Sequence, residues 1–176
     1  PTKKNDMKEL WKVEAEVDPS STNWKTPGSA VSIGEYTYYY NAKDSRLHCV
    51  TTSSGSEKAS VYIESGSVYN MAIAYGDGKI FVPTLVGGST VLKAYDAETL
   101  KQLFVSEPVR GGDVQGAVVY HDGKVFFGTY YGSFACFDGE DTDTTRSDEV
   151  VGPRWVVDGK GWYNMIPAFF GSHCVI

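Results

Sequence analysis

The chain repeats itself at a spacing of about 44 residues, and that spacing limits the folds open to it. The clearest copy is VQGAVVYHDGKVFFGTYYGSFACF, Val114 to Phe137. An apolar run, AVVY, meets the tight turn His121-Asp122-Gly123-Lys124. VFFGT follows, and a second turn at Tyr130-Tyr131-Gly132 leads into SFACF. The same succession is written as MAIAYGDGKIFVPTLVGGSTVLKAYD at 71–96, and in more diverged form as AVSIGEYTYYYNAKDSRLHCV at 30–50. Gly34, Gly78 and Gly123 occupy matching turns 44 and 45 residues apart. Tyr69-Asn70-Met71 returns as Tyr163-Asn164-Met165 after 94 residues, the excess being the polar stretch from Gly139 to Gly152.

The apolar runs are short, rich in Val, Ile, Tyr and Phe, and bounded by Gly, Asp, Asn or Ser, as strands are. Four short strands per repeat of this length make the blade of a β-propeller. The expected fold is therefore all-β, a single partial propeller over 1–176 built from four-stranded antiparallel blades. A blade remnant is expected at 8–17, complete blades at 26–65, 70–106 and 114–158, and a partial blade at 163–176. KELWKVEAEV would be the outer strand of a blade whose other strands are absent. AYDAETLKQLF has one apolar helical face, but its place in the repeat makes it strand, turn, strand. Asp77-Gly78 and Asp122-Gly123 are expected to supply positive φ in tight hairpins. Pro83 is placed at a strand end, and Pro167 inside a first strand, where a proline signals a bulge or an edge. The chain begins with Pro1 and stops inside the apolar run SHCVI, so it is expected to be a piece of something longer.

No run approaches 18 uninterrupted apolar residues, so no helical membrane span is expected. A net charge of -6 with scattered lysines and arginines argues against a nucleic-acid partner, which needs clustered cations. The three cysteines share no metal-ligand spacing, and Cys49 and Cys136 are expected to be small buried hydrophobes. His48-Cys49 and His173-Cys174 lie next to each other in strands, so each pair points to opposite faces and cannot act as a nucleophile and its base.

At AYDAETLKQLF and ELW the repeat resembles the pyrroloquinoline-quinone-like propeller repeat. Gly78-Lys79-Ile80-Phe81-Val82 and Gly123-Lys124-Val125-Phe126-Phe127 match its second strand. Ala94-Tyr95-Asp96-Ala97-Glu98-Thr99 and Ala135-Cys136-Phe137-Asp138 match its third strand and turn, and Trp11, Phe104 and Trp155 fall at the fourth strand's tryptophan. Leu100 stands where that repeat has glycine. The WD-repeat propeller has a similar period, but its Gly-His and Trp-Asp dipeptides do not occur here. Enzymes of the resembled family hold the quinone and a calcium ion at the propeller axis. No adjacent cysteine pair or matching Glu, Asn and Asp set is found here, so no cofactor is expected unless residues outside this chain supply the site. Other members of that family are cell-surface modules and outer-membrane assembly lipoproteins that bind partners.

In a propeller the connections between blades and those between second and third strands emerge on one face. Here they carry Trp24, Tyr69, Arg110, Tyr130, Tyr131, Trp162 and Tyr163. Aromatic rings with polar tips offer much contact area at little entropic cost, which suits a protein or carbohydrate ligand. Tyr69 and Tyr163 are also equivalent repeat positions, where packing between blades is the competing role. The acidic stretch Asp138 to Glu149 invites a calcium reading. Counted from Asp141, however, position 6 is Arg146 and position 12 is Gly152, where a calcium loop needs Gly and Glu. It is expected to be a solvated, mobile insertion. The resulting expectation is a non-catalytic binding or scaffold module of a bacterial surface or secreted protein. The alternative is a fragment of a quinone-dependent dehydrogenase whose cofactor site lies outside this chain. Two copies are also expected to associate, with 8–17 of one completing the partial blade of the other.

Overall fold

The computed structural model of the chain describes residues 8–14, 28–65, 72–140, 142–159, 161 and 166–176. The first sheet is a four-stranded meander, β1 (Val31–Ile33), β2 (Tyr36–Asn41), β3 (Arg46–Thr51) and β4 (Glu57–Tyr62). The second runs β5 (Ala74–Gly76), β6 (Lys79–Val86), β7 (Ser89–Asp96) and β8 (Gln102–Ser106), with a short β9 (Val109–Arg110) also paired to β7. The third sheet comprises β10 (Val119–His121), β11 (Lys124–Gly128), β12 (Ser133–Asp138) and β14 (Trp155–Asp158). Between β12 and β14 the chain forms β13 (Glu149–Val151), and a last hairpin pairs β15 (Ala168–Phe170) with β16 (His173–Val175). The all-β expectation is met by sheets in the blade order.

The continuous apolar runs follow from position. Ile80, Phe81 and Val82 of β6 are all buried, because their sheet is covered on both faces. One face packs against the first sheet through Tyr38, Leu47, Ile80 and Tyr95, with the Tyr38 hydroxyl donating to the Ala97 carbonyl at 2.9 Å. The other packs against the third sheet through Phe81, Phe104, Val125 and Phe137. Phe126 and Cys136, on the far side of the third sheet, meet Phe169 and Cys174 of the last hairpin. The sheets thus stack face to face, each core lying between neighbours.

The hairpin turns are as the sequence requires. Asp77 and Gly78 have φ of 54° and 71°, and Asp122 and Gly123 of 49° and 73°. AYDAETLKQLF forms β7, a turn and β8. Its turn is held by Thr99, whose amide and hydroxyl both donate to Asp96 Oδ1, at 2.8 and 2.6 Å. Burial pushes the Asp96 carboxyl up, but the Thr99 bonds outweigh it and hold the group below its usual value. Leu100 takes the left-handed conformation, φ 55°, at the position where the resembled repeat has glycine. That backbone costs about 1–2 kcal/mol, and the buried Leu100 side chain offsets it by joining the Tyr95 and Ala97 core.

Four expectations are corrected. Residues 8–14 form no strand; the Trp11 ring instead lies on the first sheet, with Nε1 donating to the Thr52 carbonyl at 2.7 Å and Gly55 beneath it. Residues 15–17 lie outside the described residues. Pro83 is not at a strand end but inside β6, opposite Leu92. The Leu92 amide donates to Ser106 Oγ on the β8 side, so the main-chain groups of the Pro83–Leu92 pair point away from each other. The missing N–H of Pro83 therefore faces β5, whose pairing stops at Phe81. Pro167 precedes β15 and is not within it. Lastly, the insertion is tethered. Its β13 runs parallel to β8, Glu107 N–H donates to Val151 O at 2.9 Å, and Gln102 Nε2 donates to Ser147 O at 2.7 Å. An outer strand leaves a row of unpaired backbone groups, and the insertion of the following sheet covers it.

Candidate functional site

Two loops meet at one end of the second and third sheets. The first, after β8, carries Arg110; the second, between β11 and β12, carries Tyr130 and Tyr131. They are joined by backbone bonds: Tyr130 N–H donates to Asp113 O at 2.8 Å, and Tyr131 N–H to Gly111 O at 2.7 Å. Thr129 Oγ1 donates to the Arg110 carbonyl at 3.1 Å, and Thr90 Oγ1 to the Gly112 carbonyl at 2.6 Å. Glycine is needed for this closeness. Gly111 has φ 110°, and a Cβ there would stand 2.3 Å from Thr129 Oγ1. At Gly132 a Cβ would meet the Gly161 carbonyl at 2.4 Å.

The rim that results is rigid and aromatic. Tyr130 and Tyr131 pack edge to face with centroids 4.8 Å apart, and Tyr131 keeps 67% of its surface exposed. Arg110 is exposed on the neighbouring strand. An exposed ring can stack on a sugar or a partner's side chain, and an exposed arginine on an adjoining segment can meet a carboxylate. The structure thus brings Arg110, Tyr130 and Tyr131 together. Trp24, Tyr69, Trp162 and Tyr163 lie outside the described residues.

The other candidate chemistries are accounted for locally. In the insertion, Glu149 accepts bonds from Thr142 Oγ1 and from the Asp143 amide, Asp143 accepts from Thr145, and Arg146 pairs with Asp148 at 3.0 Å. These bonds hold the Asp143, Asp148 and Glu149 carboxyls below their usual values. Among the described residues no group of three His, Cys, Asp or Glu side chains is placed to hold a metal ion. His48 is held on the sheet surface by Glu57 Oε2 at Nδ1 (2.6 Å) and Asp44 Oδ2 at Nε2 (3.0 Å), with its ring stacked on Tyr39. Neither carboxylate was legible as a partner, because each is a loop or edge residue brought near only by strand register. Cys49 points the other way, into the core.

Cys49 and Cys136 are buried, Cys174 is half-buried, and all three are free thiols. Burial pushes the Cys136 thiol from 9.0 up to about 11, and raises Cys49 and Cys174 in the same direction. Burial likewise raises the Tyr38 and Tyr95 hydroxyls. A group whose pKa rises on folding stabilises the fold below its unfolded value, and that contribution is lost as pH climbs through the folded one. For Cys136 the window runs from 9.0 to about 11. Urea unfolding is expected to show nearly the same stability at pH 7 and pH 8.5 but a loss near pH 11 to which Cys136 contributes roughly 2–3 kcal/mol and the other buried thiols and tyrosines add; a flat profile would contradict this burial.

BamB from Moraxella catarrhalis superposes with a TM-score of 0.53 at 16% identity, over 71% of this chain and 34% of its own. The quinohemoprotein alcohol dehydrogenase of Pseudomonas putida HK5 gives 0.59 at 16% identity, over 77% of this chain and 21% of its own. The computationally designed Ika8 protein gives 0.65 at 13% identity, over 84% and 41%. The fold is that of a partial β-propeller. The four-stranded sheets are its blades, and the segment carrying Arg110, which leads from the second blade to the third, is bonded to the tyrosine loop within the third blade. No family model matches the chain, and no curated protein does either. The chain spans 34%, 21% and 41% of those three relatives. Their likeness to this propeller is one of fold. Among the described residues no helix is long and apolar enough to cross a membrane.

Proposed function

We propose that this propeller is a non-catalytic binding or scaffold module of a bacterial surface or secreted protein, taking a protein or carbohydrate ligand on its loop face. One observation carries the reading: an exposed tyrosine, fixed edge-on to a second, sits on glycine-tightened loops beside an exposed arginine. Loops of this kind lose little freedom on binding, and anchors of Tyr and Arg dominate protein interfaces. A Tyr131→Ala variant should keep the circular dichroism and melting temperature of the wild type, because its ring is largely exposed. It is expected to lose at least about ten-fold in affinity for a ligand found on a glycan or protein array, equivalent to about 1.4 kcal/mol.

The fold shared with a quinohemoprotein alcohol dehydrogenase favours a second reading, in which the chain is part of a quinone-dependent dehydrogenase with its cofactor site in other residues. Under that reading a longer protein containing this chain shifts the absorbance of added pyrroloquinoline quinone and Ca²⁺, whereas under the binding-module reading it leaves the quinone absorbance unchanged. Self-association belongs to the same proposal. Ile166, Phe170 and Val175 of the last hairpin are 70%, 84% and 63% exposed, an apolar face suited to a second copy. Light scattering is expected to give a dimer mass, and a monomer mass at all concentrations refutes it.

A further inference from the structure

Two junctions between blades differ at the position next to the stacking ring, and a cleft lies at one of them. Register aligns the blades: Tyr75 pairs with Ile80, Tyr120 with Val125 and Phe169 with Cys174. The next residue along is Gly76 in the second blade, His121 in the third and Phe170 in the last hairpin. Phe81 and Phe126 likewise correspond, opposite Ala74 and Val119.

At the junction of the second and third blades, the Tyr120 ring lies flat over Gly76, where a Cβ would fall 2.0 Å from it. The ring stacks on Phe81 at 5.7 Å and 14°, and Gly139 closes on its other edge. This junction is filled. At the next one, His121 stands where Gly76 stood. Phe169, in the place of Tyr120, rests on the His121 ring at 4.4 Å and 20°, and meets Phe126 only at a tilt of 56°. Beside the tilted ring, 4.7 Å from Phe126, lies a cleft of about 430 Å³.

Its walls are Phe126, Phe169 and Trp155, its floor includes Cys174, and Lys124 and Arg154 stand at its mouth. The size is that of a small-molecule site, and so is an apolar lining with a few polar groups. Two cations and two carboxylates meet there: Asp138 pairs with Arg154 at 2.6 Å, while Asp122, 3.9 Å from Lys124, has a side chain 87% exposed and screened by water. Arg154 is oriented by its Nε bond to Asp138 at 2.6 Å, and Lys124 Nζ by its bond to the Asp122 carbonyl at 2.9 Å. Arginine carries five N–H donors in a planar fork that suits a bidentate oxyanion. This is an aromatic slot with two oriented cations at its mouth, each beside a carboxylate.

We infer that the cleft between the third blade and the last hairpin binds a small planar aromatic acid. The ring slides between Phe169 and Trp155, and the carboxylate meets Arg154 and Lys124. The site is separate from the tyrosine rim and does not depend on it.

The probe is 2-naphthoate, titrated into the full chain by saturation-transfer NMR, with neutral 2-naphthamide as its control. A ligand of this size is expected to bind one per chain near 1 mM, roughly ten-fold tighter than the amide. Bound naphthoate should also slow alkylation of Cys174 by iodoacetamide. Arg154→Gln, an exposed substitution that leaves the fold intact, should weaken binding about ten-fold. His121→Gly removes the ring on which Phe169 stacks, so Phe169 can turn flat against Phe126 as Tyr120 does on Phe81, and binding should vanish while cooperative melting persists. The inference is overturned by absence of saturation at about 10 mM. Equal affinity for the amide, or unchanged binding in either folded variant, also overturns it, as does alkylation of Cys174 that ignores the ligand.

Discussion

Phe81→Ala is expected to lower the stability of the chain by about 3–5 kcal/mol, the range for a buried phenylalanine cut to alanine. The ring is fully buried and lies 6.4 Å from Phe104 and 5.7 Å from Tyr120. Its cross-strand partners are Ala74 and Ala94, small residues that make room for the ring and cannot reach into the space it would leave. The cavity therefore persists, which places the cost high in the range. At about 2–4 °C per kcal/mol for a chain of this size, the melting temperature should fall by roughly 6–20 °C. Because each blade touches only its neighbours, losing this interface also uncouples the blades on either side. Urea and thermal unfolding read both effects. A loss below about 1 kcal/mol, or an unchanged transition width, would contradict face-to-face packing of the blades.

Gly76→Ala tests the same interface from the opposite side. The new Cβ would lie 2.0 Å from Tyr120 Cγ, inside any permitted contact, and the ring backs onto Phe81. Gly76 is not among the positive-φ glycines, so alanine suits its backbone and should gain about 0.4–1 kcal/mol through the unfolded state. Overpacking, at about 1–3 kcal/mol, opposes that gain and wins. The net expectation is a destabilised variant. Gly76→Ala combined with Tyr120→Ala should be more stable than the sum of the single losses allows, by about 1 kcal/mol or more. Additivity would mean that the two residues do not touch.

The blade pattern was legible because its signals are local. Asp-Gly pairs demand positive φ wherever they fall, and apolar runs such as IFV and VFF announce strands buried on both faces. What escaped the sequence depends on register and on partners. Pro83 looked intolerable inside a strand, yet its side of the ladder is free because β5 ends early. The three residues of β13 carry no strand signal amid their polar neighbours, and only the open edge of β8 makes them one. Trp11 was expected on the outer strand of a blade remnant but is a ring docked on the first sheet, held by Nε1 to the Thr52 carbonyl. At the candidate site, Arg110, Tyr130 and Tyr131 were readable as loop residues of one face. Their locking together was not, for it rests on glycine conformations at Gly111 and Gly132. His121 read as an ordinary turn residue; its consequence shows only when it is superposed on Gly76 across the repeat.

The measurement that bears most directly on a rim-binding module is an array of glycans and protein segments probed with the wild type and Tyr131→Ala in parallel, both verified as folded. A functional rim predicts ligands that the wild type retains and the variant releases, with at least about a ten-fold difference in affinity. An identical binding pattern for the two proteins, or no ligand above background for either, would contradict it.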